Sequence, residues 1–445
     1  MKETYQILRS IRALISSADF INRHKAKFKD FTRRRILSYP VILVFILNGI
    51  RKSLQVQLNE LTDIIDLPII SKQAFSAARH KLSASAFVEM NDALVREYYK
   101  EGKSPKFFFG YLVAAIDGST LQLPDSEEIR DKYGAATNNT KKDMPMGRCS
   151  HVYDVLNGIT LDAILQPYAC TERTACIEHI KRLKTLVKDV CGIDKILLIF
   201  DRGYPSLAVI AACIVAGIDF MIRCKPCFLS IPKEMIKNGQ NDLVIKDLWK
   251  NLNAARRRNL QKHFPNIESL PNCDVRFVLV TLDTGEIEVL LTSLTDQRIF
   301  PHSIFSGVYS FRWKIEENYK FFKVRVEIEN FSGFSTNAIE QDFHATVFTA
   351  NVRTLLANEA QEELDQERNH KKYKYESKVN KNVSAGALKD TIIDMLLDER
   401  KSLKKYCDQI KEKMKRSTEL IRPGRKYARK RKTRHKFPMN RRRGI

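Results

Sequence analysis

Short apolar segments separated by turn signals constrain the fold of this chain most strongly. Two of them flank Asn157-Gly158, a dipeptide typical of a β-hairpin turn. Strands are predicted at 111–116, 151–156, 159–165, 196–200 and 220–223, with helices at about 174–190 and 205–215. Antiparallel strands followed by an alternation of helix and strand indicate an α/β fold with a mixed sheet.

The remaining regions differ from this alternating one and suggest a division of the chain. The first part reads as helices, a later part contains a second hairpin around Asp283-Thr284-Gly285, and the end is very polar. We therefore predict these regions: a helical, basic region at 1–105, an α/β domain at 106–224 and 306–360, a β-rich insertion at 225–305, and a polar to strongly basic, partly disordered C-terminal region at 361–445.

Positive charge is concentrated at the two ends of the chain. The formal net charge is +24. Residues 1–52 hold 12 basic and 3 acidic side chains, and residues 421–445 hold 12 basic and none acidic, so these segments carry +21 of the total. Such a surplus is typical of a protein that binds a polyanion, and we expect that polyanion to be DNA.

Several other classes of protein do not fit the composition. The most apolar stretch, 36–50, is shorter than the roughly 20 residues that span a bilayer, so we expect no membrane partner. The first residues lack the apolar core of a signal peptide, which predicts a cytoplasmic protein. Nine cysteines in 445 residues do not form a disulfide scaffold, and Cys224–Cys227 has no second pair at zinc-site spacing.

Two aspartates follow predicted strands. Asp117 comes at the end of 111–116, and Asp201 comes at the end of 196–200. Carboxylates at the carboxyl ends of strands lie where open α/β sheets bind their ligands, although an Asp-Gly turn and a helix N-cap are the ordinary alternatives.

A predicted helix over 307–324 carries an unusual stripe of charge beside its apolar face. On an α-helix the stripe falls within an arc of about 80°. Its members are Tyr309, Arg312, Glu316, Lys320 and Lys323. A solvated ladder of ion pairs is the simpler interpretation, but a half-buried charged stripe facing two aspartates favours a functional site.

Together these segments resemble the DDE transposases of the bacterial insertion-sequence-four family. That family is marked by Tyr, two residues, Arg, three residues, Glu, six residues and Lys, a spacing that Tyr309, Arg312, Glu316 and Lys323 reproduce. Segments around both aspartates and after the helix are also similar to the family: Ala115–Thr120, Phe200–Tyr204 and Glu329–Gly333. The resemblance covers about residues 60–360 and implies a ribonuclease-H-like mixed sheet, with a catalytic domain formed by 106–224 and 306–360. The helical, basic region at 1–105 is then expected to bind DNA.

The resemblance also implies a metal site and a reaction. Asp117, Asp201 and Glu316 would hold two Mg²⁺ ions, for which Mn²⁺ can substitute, with Asp117 bridging both. The enzyme would cut DNA at the ends of an insertion sequence and join those ends to target DNA, as a homodimer in a synaptic complex in a bacterial cell. By the resemblance, Tyr309, Arg312 and Lys323 would contact DNA, and we expect the same of Lys320 and Arg202 in the matching segments. On charge alone, a helix predicted after Ser71 would offer Lys72 and Arg79 to DNA, with an ordinary amphipathic helix as the alternative.

Two alternatives remain open from the sequence. A transposase-derived DNA-binding protein without activity would keep the basic ends and the fold. A metal-dependent nuclease without strand transfer would keep the same three acids. Strand transfer by the purified protein separates the second alternative from a transposase.

Overall fold

The computed structural model describes residues 3–33, 35–50, 52–101, 105–137, 143–282, 285–368 and 373–422. Its centre is a nine-stranded mixed sheet, as the sequence predicted for the α/β class. The basic run at 425–443, predicted to be disordered, lies outside the described residues.

The sheet is built from a continuous path of strands with one side branch. Its strands are β1 (Leu112–Gln122), β2 (Ala135–Thr137), β3 (Asp143–Asp154), β4 (Ile159–Pro167), β5 (Ile196–Phe200), β6 (Asp219–Cys224), β7 (Asp242–Ile245), β8 (Val275–Thr281) and β9 (Ile287–Thr292). Their order is β2-β3-β1-β5-β6-β9-β8-β7, and β4 pairs with β3. Strands β1, β5 and β6 are mutually parallel, and the other pairings are antiparallel. The three strands of the 225–305 region thus extend the central sheet.

Helices pack on both faces of the sheet. In chain order they are α1 (Thr4–Ser16), α2 (Ala18–His24), α3 (Tyr39–Leu47), α4 (Leu54–Ile64), α5 (Lys72–Arg79), α6 (Ser85–Glu101), α7 (Glu127–Tyr133), α8 (Glu172–Leu183), α9 (Leu207–Ala216), α10 (Ile231–Lys237), α11 (Ala254–Gln261), α12 (Phe305–Ser310), α13 (Trp313–Lys320), α14 (Thr336–Arg368), α15 (Lys381–Lys389), α16 (Ile392–Leu397) and α17 (Leu403–Lys415). A small hairpin pairs β10 (Ser377–Val379) with β11 (Thr418–Leu420). In the described part of the chain, no helix is both long and apolar enough to cross a bilayer.

Strand β1 divides the apolar residues between two cores because its side chains alternate across the sheet. Leu112, Ala114 and Ile116 join a core with the N-terminal helices, α8, α9 and the C-terminal helices. Val113 and Ala115 join a second core with α7, α12 and α13. By the same alternation, Asp117 belongs to the face on which α13 packs.

Two predicted elements differ from the structure. Strand β1 continues past Asp117 to Gln122, because β3 still pairs with it from Gly118 to Gln122 after the parallel pairing with β5 has ended. The helix predicted over 307–324 is divided into α12, α13 and a π-helical turn, Phe321–Arg325. The backbone N–H groups of Arg312 and Ile315 each donate to the carbonyl oxygen three residues earlier, as in a 3₁₀-helix, and this tightens the chain between α12 and α13.

Helix α5 is held to the rest of the protein by a buried arginine. Ser71 caps this helix by accepting a hydrogen bond from the N–H of Ala74. Arg79, however, is buried, and its guanidinium donates to Gln341 and Asp342 of α14. It also donates to the Ser332 hydroxyl at 2.6 Å and the Ala338 carbonyl at 2.9 Å. The expectation that Arg79 contacts DNA is therefore wrong, because its donors are engaged inside the fold.

We expect Arg79→Met to lower the free energy of unfolding by about 3–5 kcal/mol, because the Asp342 carboxylate would stay buried without its cation. Urea unfolding measures this loss. Lys72→Met is the matched control, since Lys72 is exposed on the same helix and its loss should change stability by less than about 0.5 kcal/mol. A loss below about 1 kcal/mol for Arg79→Met would contradict the structural role.

Candidate active site

The pairing of β1 with β5 brings two carboxylates together. The strands are parallel, and their last paired residues are Ile116 and Phe200. Asp117 and Asp201 follow these residues directly, so they lie on adjacent strands at the same level of the sheet. The sequence predicted both aspartates at strand ends, and the register places them side by side.

The Asp117 carboxyl group is largely removed from water. Its pKa is raised to about 6, chiefly by this burial, and the nearby carboxylates of Glu172 and Asp201 act in the same direction. A hydrogen bond from the Gly118 N–H, 2.8 Å from Oδ1, and the Arg312 cation act in the opposite direction. Asp117 is therefore a carboxyl group under electrostatic strain, which an additional cation would relieve.

Arg312 is a buried cation that acts on all three predicted acids. It is only 4% exposed and lies between α12 and α13, with its guanidinium 5.8 Å from the ring centre of Tyr309 and 5.1 Å from that of Trp313. It donates to Oε1 of Glu316 at 2.9 Å, and attraction to Asp201 helps to raise its own pKa against the effect of burial. The three predicted acids therefore share one buried cation.

Helix α13 and the π-helical turn are fixed directly to β1. The Tyr319 hydroxyl donates to the backbone oxygen of Asp117 at 2.7 Å, and Nζ of Lys323 donates to the backbone oxygen of Thr120 at 2.6 Å. The Tyr319 ring also stacks on His151 of β3, with ring centres 4.8 Å apart. These contacts hold Glu316 at the face of the sheet that carries Asp117.

A further acid, Glu172, lies at this site and was not predicted. It is the first residue of α8, whose N-cap Thr171 accepts a hydrogen bond from the N–H of Thr174. Its carboxylate pairs with Arg148 of β3 at 3.2 Å. The Thr171-Glu172 helix start is visible in the sequence, but no sequence pattern relates it to Asp117 across more than 50 intervening residues.

The predicted DNA-contacting residues differ in their accessibility. Arg202 and Lys320 are exposed, and Lys320 pairs with Glu317 one turn away. Tyr309 is buried, and its hydroxyl has no hydrogen-bond partner among the described residues. Lys72 is exposed on α5, whereas Lys323 is half-buried because the π-helical turn directs it to β1.

The carboxylates of Asp117, Asp201 and Glu316 are the type of ligand that a hard divalent cation such as Mg²⁺ prefers. The raised pKa of Asp117 beside Asp201 and Glu172 also fits, because a divalent ion would favour its ionised form. Within the residues described, no three His, Cys, Asp or Glu side chains are close enough to form a ready-made metal site. Glu316 is instead turned to Arg312.

Part of the chain matches a family of known proteins. Residues 108–352 match the model of the family described as Transposase DDE domain. The chain is 22% identical over 311 residues to Transposase InsG for insertion sequence element IS4 of Escherichia coli (strain K12). This match covers 68% of the present chain. It spans 65% of the length of that curated relative.

Among solved structures, a piggyBac transposase synaptic complex with hairpin DNA, determined by cryo-EM, has a TM-score of 0.46 and 10% identity, and the match covers 92% of this chain and 85% of that one. The family match includes Asp117, Asp201 and the whole segment from Tyr309 to Lys323. The chain thus belongs to the transposase DDE domain family, as the resemblance in its sequence predicted, and its relative on IS4 agrees with the insertion-sequence-four branch.

Proposed function

We propose that this protein is an insertion-sequence transposase that cuts DNA at the ends of its element and joins them to target DNA. The observation that carries the proposal is the grouping of Asp117, Asp201 and Glu316 around Arg312 within the matched family domain. Membership of the family supports a DNA-processing enzyme, and the three acids supply the reactive centre.

The proposed centre uses divalent metal ions, two Mg²⁺ or Mn²⁺, held by Asp117, Asp201 and Glu316. Bound there, such ions would activate water or a 3′-hydroxyl and stabilise the leaving oxygen of a phosphodiester. Glu316 must first exchange its hydrogen bond with Arg312, 2.9 Å long in this structure, to face the two aspartates. The guanidinium released in this way can donate two parallel hydrogen bonds to a phosphate.

The order of the central strands supports a ribonuclease-H-like arrangement. Strands β4, β3 and β1 are antiparallel, and β1 is followed by the parallel strands β5 and β6. In this arrangement the first strand is central and its neighbour β5 carries the second acid. The proposed catalytic domain, 106–224 and 306–360, contains all these elements and α13.

DNA is the proposed partner, with two copies of the chain pairing two element ends. Exposed Arg202 next to Asp201, and Lys320 on α13, lie where they can contact phosphates beside the acids. Lys72 and the basic segments at 1–52 and 421–445 supply affinity farther along the duplex, because each phosphate contact releases counterions. Such a reaction takes place on the chromosome, in the cytoplasm of a bacterium.

We expect Asp117→Asn, Asp201→Asn and Glu316→Gln each to abolish cleavage of a duplex that carries an element end, because each removes a proposed metal ligand. Glu317→Gln is the matched control, since Glu317 is exposed and pairs with Lys320. Single-turnover cleavage in a gel measures the effect. Activity retained in Glu316→Gln but lost in Glu317→Gln would contradict the assignment, and cleavage without joined products would favour a nuclease.

The affinity for Mn²⁺ should rise with pH, because the ion must displace the proton of Asp117, whose pKa is raised to about 6. We expect binding to be about tenfold weaker at pH 5 than at pH 7.5, since about one Asp117 in ten is then ionised. Without metal, the protonated Asp117 carboxyl contributes to the free energy of unfolding below its ordinary pKa of 3.8. This contribution is lost as the pH rises through the folded-state pKa of about 6. Titration calorimetry of the wild-type protein at the two pH values tests this, and an affinity that changes by less than twofold would contradict it.

Arg202→Ala should weaken binding of an element-end duplex about tenfold or more, because a charge-assisted contact contributes roughly 1.5–3 kcal/mol. The melting temperature should stay unchanged, since Arg202 is exposed. Lys413→Ala, which removes an equal charge from an exposed site on α17, is the control. Equal affinities for the two variants in fluorescence anisotropy would contradict a local DNA contact at Arg202.

A further inference from the structure

A cavity of about 610 Å³ opens between α3, the π-helical turn and helices α14 to α16. It is distinct from the site of the three predicted acids, which are not among its lining residues. Its apolar wall includes Ile46 and Leu47 of α3, Leu388 of α15 and Ile392 of α16. Cavities of roughly 300–1,000 Å³ with mainly apolar walls and a few polar groups are typical of sites for small organic ligands. This cavity is therefore large enough for a ligand that combines an apolar part with a charged one.

Arg353 of α14 lines this cavity, and its partners among the described residues are neutral. Its two terminal nitrogens donate to hydroxyl groups, at 3.2 Å to Oγ of Ser384 and at 2.8 Å to Oγ1 of Thr354. Its buried Nε has no hydrogen-bond partner in the described part of the chain, and its guanidinium lies 4.5 Å from the ring centre of Phe321. Burial lowers the pKa of Arg353 to about 10, and Tyr153, not a carboxylate, acts in the opposite direction. A buried cation in such surroundings is unfavourable until an anion neutralises it.

The other charged groups around the cavity also favour an anion. The charged residues that line it are Lys52, Arg325, Arg353, Lys389, Glu327 and Asp342. Two of them form ion pairs with residues outside the lining, Asp342 with Arg79 and Lys52 with Glu60. Of the remaining four, three are positive, and Lys389 is exposed, so an anion can reach the cavity from solvent. A phosphate monoester, with a charge of about −1.5 to −2 at pH 7, suits several cations better than a single carboxylate does.

We propose that this cavity binds a nucleotide, whose phosphate is held by Arg353 and the neighbouring cations and whose base lies against the apolar wall. A free mononucleotide and a nucleotide of bound DNA share this chemistry, and the test below separates them. The inference goes beyond the proposed function, because it requires neither a metal ion nor the carboxylates on β1 and β5. Its failure would therefore leave the proposed function unaffected.

The test measures binding of deoxyadenosine monophosphate to the full chain by titration calorimetry, with a chelator present so that no metal contributes. We expect Arg353→Met to weaken binding about tenfold or more, because a charge-assisted contact to the phosphate is lost. Its melting temperature should equal or exceed that of wild type, since methionine removes a buried cation that has only neutral partners. Lys413→Met, which removes an equal charge from an exposed site on α17, should bind as wild type does.

Gly386→Leu tests the cavity without changing its charge. Gly386 lies in α15 and lines the cavity, and a Cβ added there meets no atom within 4 Å. The leucine should therefore be tolerated in the helix and fill the space of the base, so we expect binding of the mononucleotide to fall about tenfold or more.

A DNA duplex and inorganic phosphate complete the test. If a duplex displaces the mononucleotide and binds more weakly to Gly386→Leu than to wild type, the ligand is a nucleotide of DNA; if it does neither, the ligand is a free nucleotide. The inference is overturned if wild type does not bind the mononucleotide at millimolar concentration, or if Arg353→Met or Gly386→Leu binds it within twofold of wild type. Inorganic phosphate that binds as tightly as the mononucleotide would also overturn it, because the base would then contribute nothing.

Discussion

The parallel pairing of β1 with β5 is the constraint on which the rest of the site depends. It aligns Ile116 with Phe200 and so forces Asp117 and Asp201 to be neighbours on adjacent strands. Like charges at that spacing repel, and burial of Asp117 adds the cost of desolvation. Ionisation of Asp117 is therefore unfavourable unless a cation is supplied.

In this structure Arg312 supplies part of that positive charge. Its guanidinium is buried at the junction of α12 and α13, donates to Glu316 and is attracted to Asp201. The tight turn between the two helices, which the sequence did not predict, allows one arginine to reach the acids from the edge of the core.

The α/β class, the position of both aspartates after buried strands and the spaced motif could be predicted from the sequence, because these depend on local periodicity and on residue types. The surroundings of a side chain could not be predicted where contacts between distant parts of the chain determine them. Arg79 has the sequence context of a DNA-facing cation, but Asp342, more than 260 residues later, draws it inward. Glu172 reads as an ordinary first residue of a helix until Gly118 and Gly203 are seen beside its carboxylate.

The proposed divalent-metal site depends on the paired carboxylates of Asp117 and Asp201. Anomalous diffraction from crystals soaked in Mn²⁺ is the most direct test of this site. The account predicts an anomalous peak within ligand distance, about 2.0–2.2 Å, of carboxylate oxygens of both Asp117 and Asp201. A saturating soak whose peaks all lie elsewhere on the protein, with these two aspartates free of metal, would contradict it.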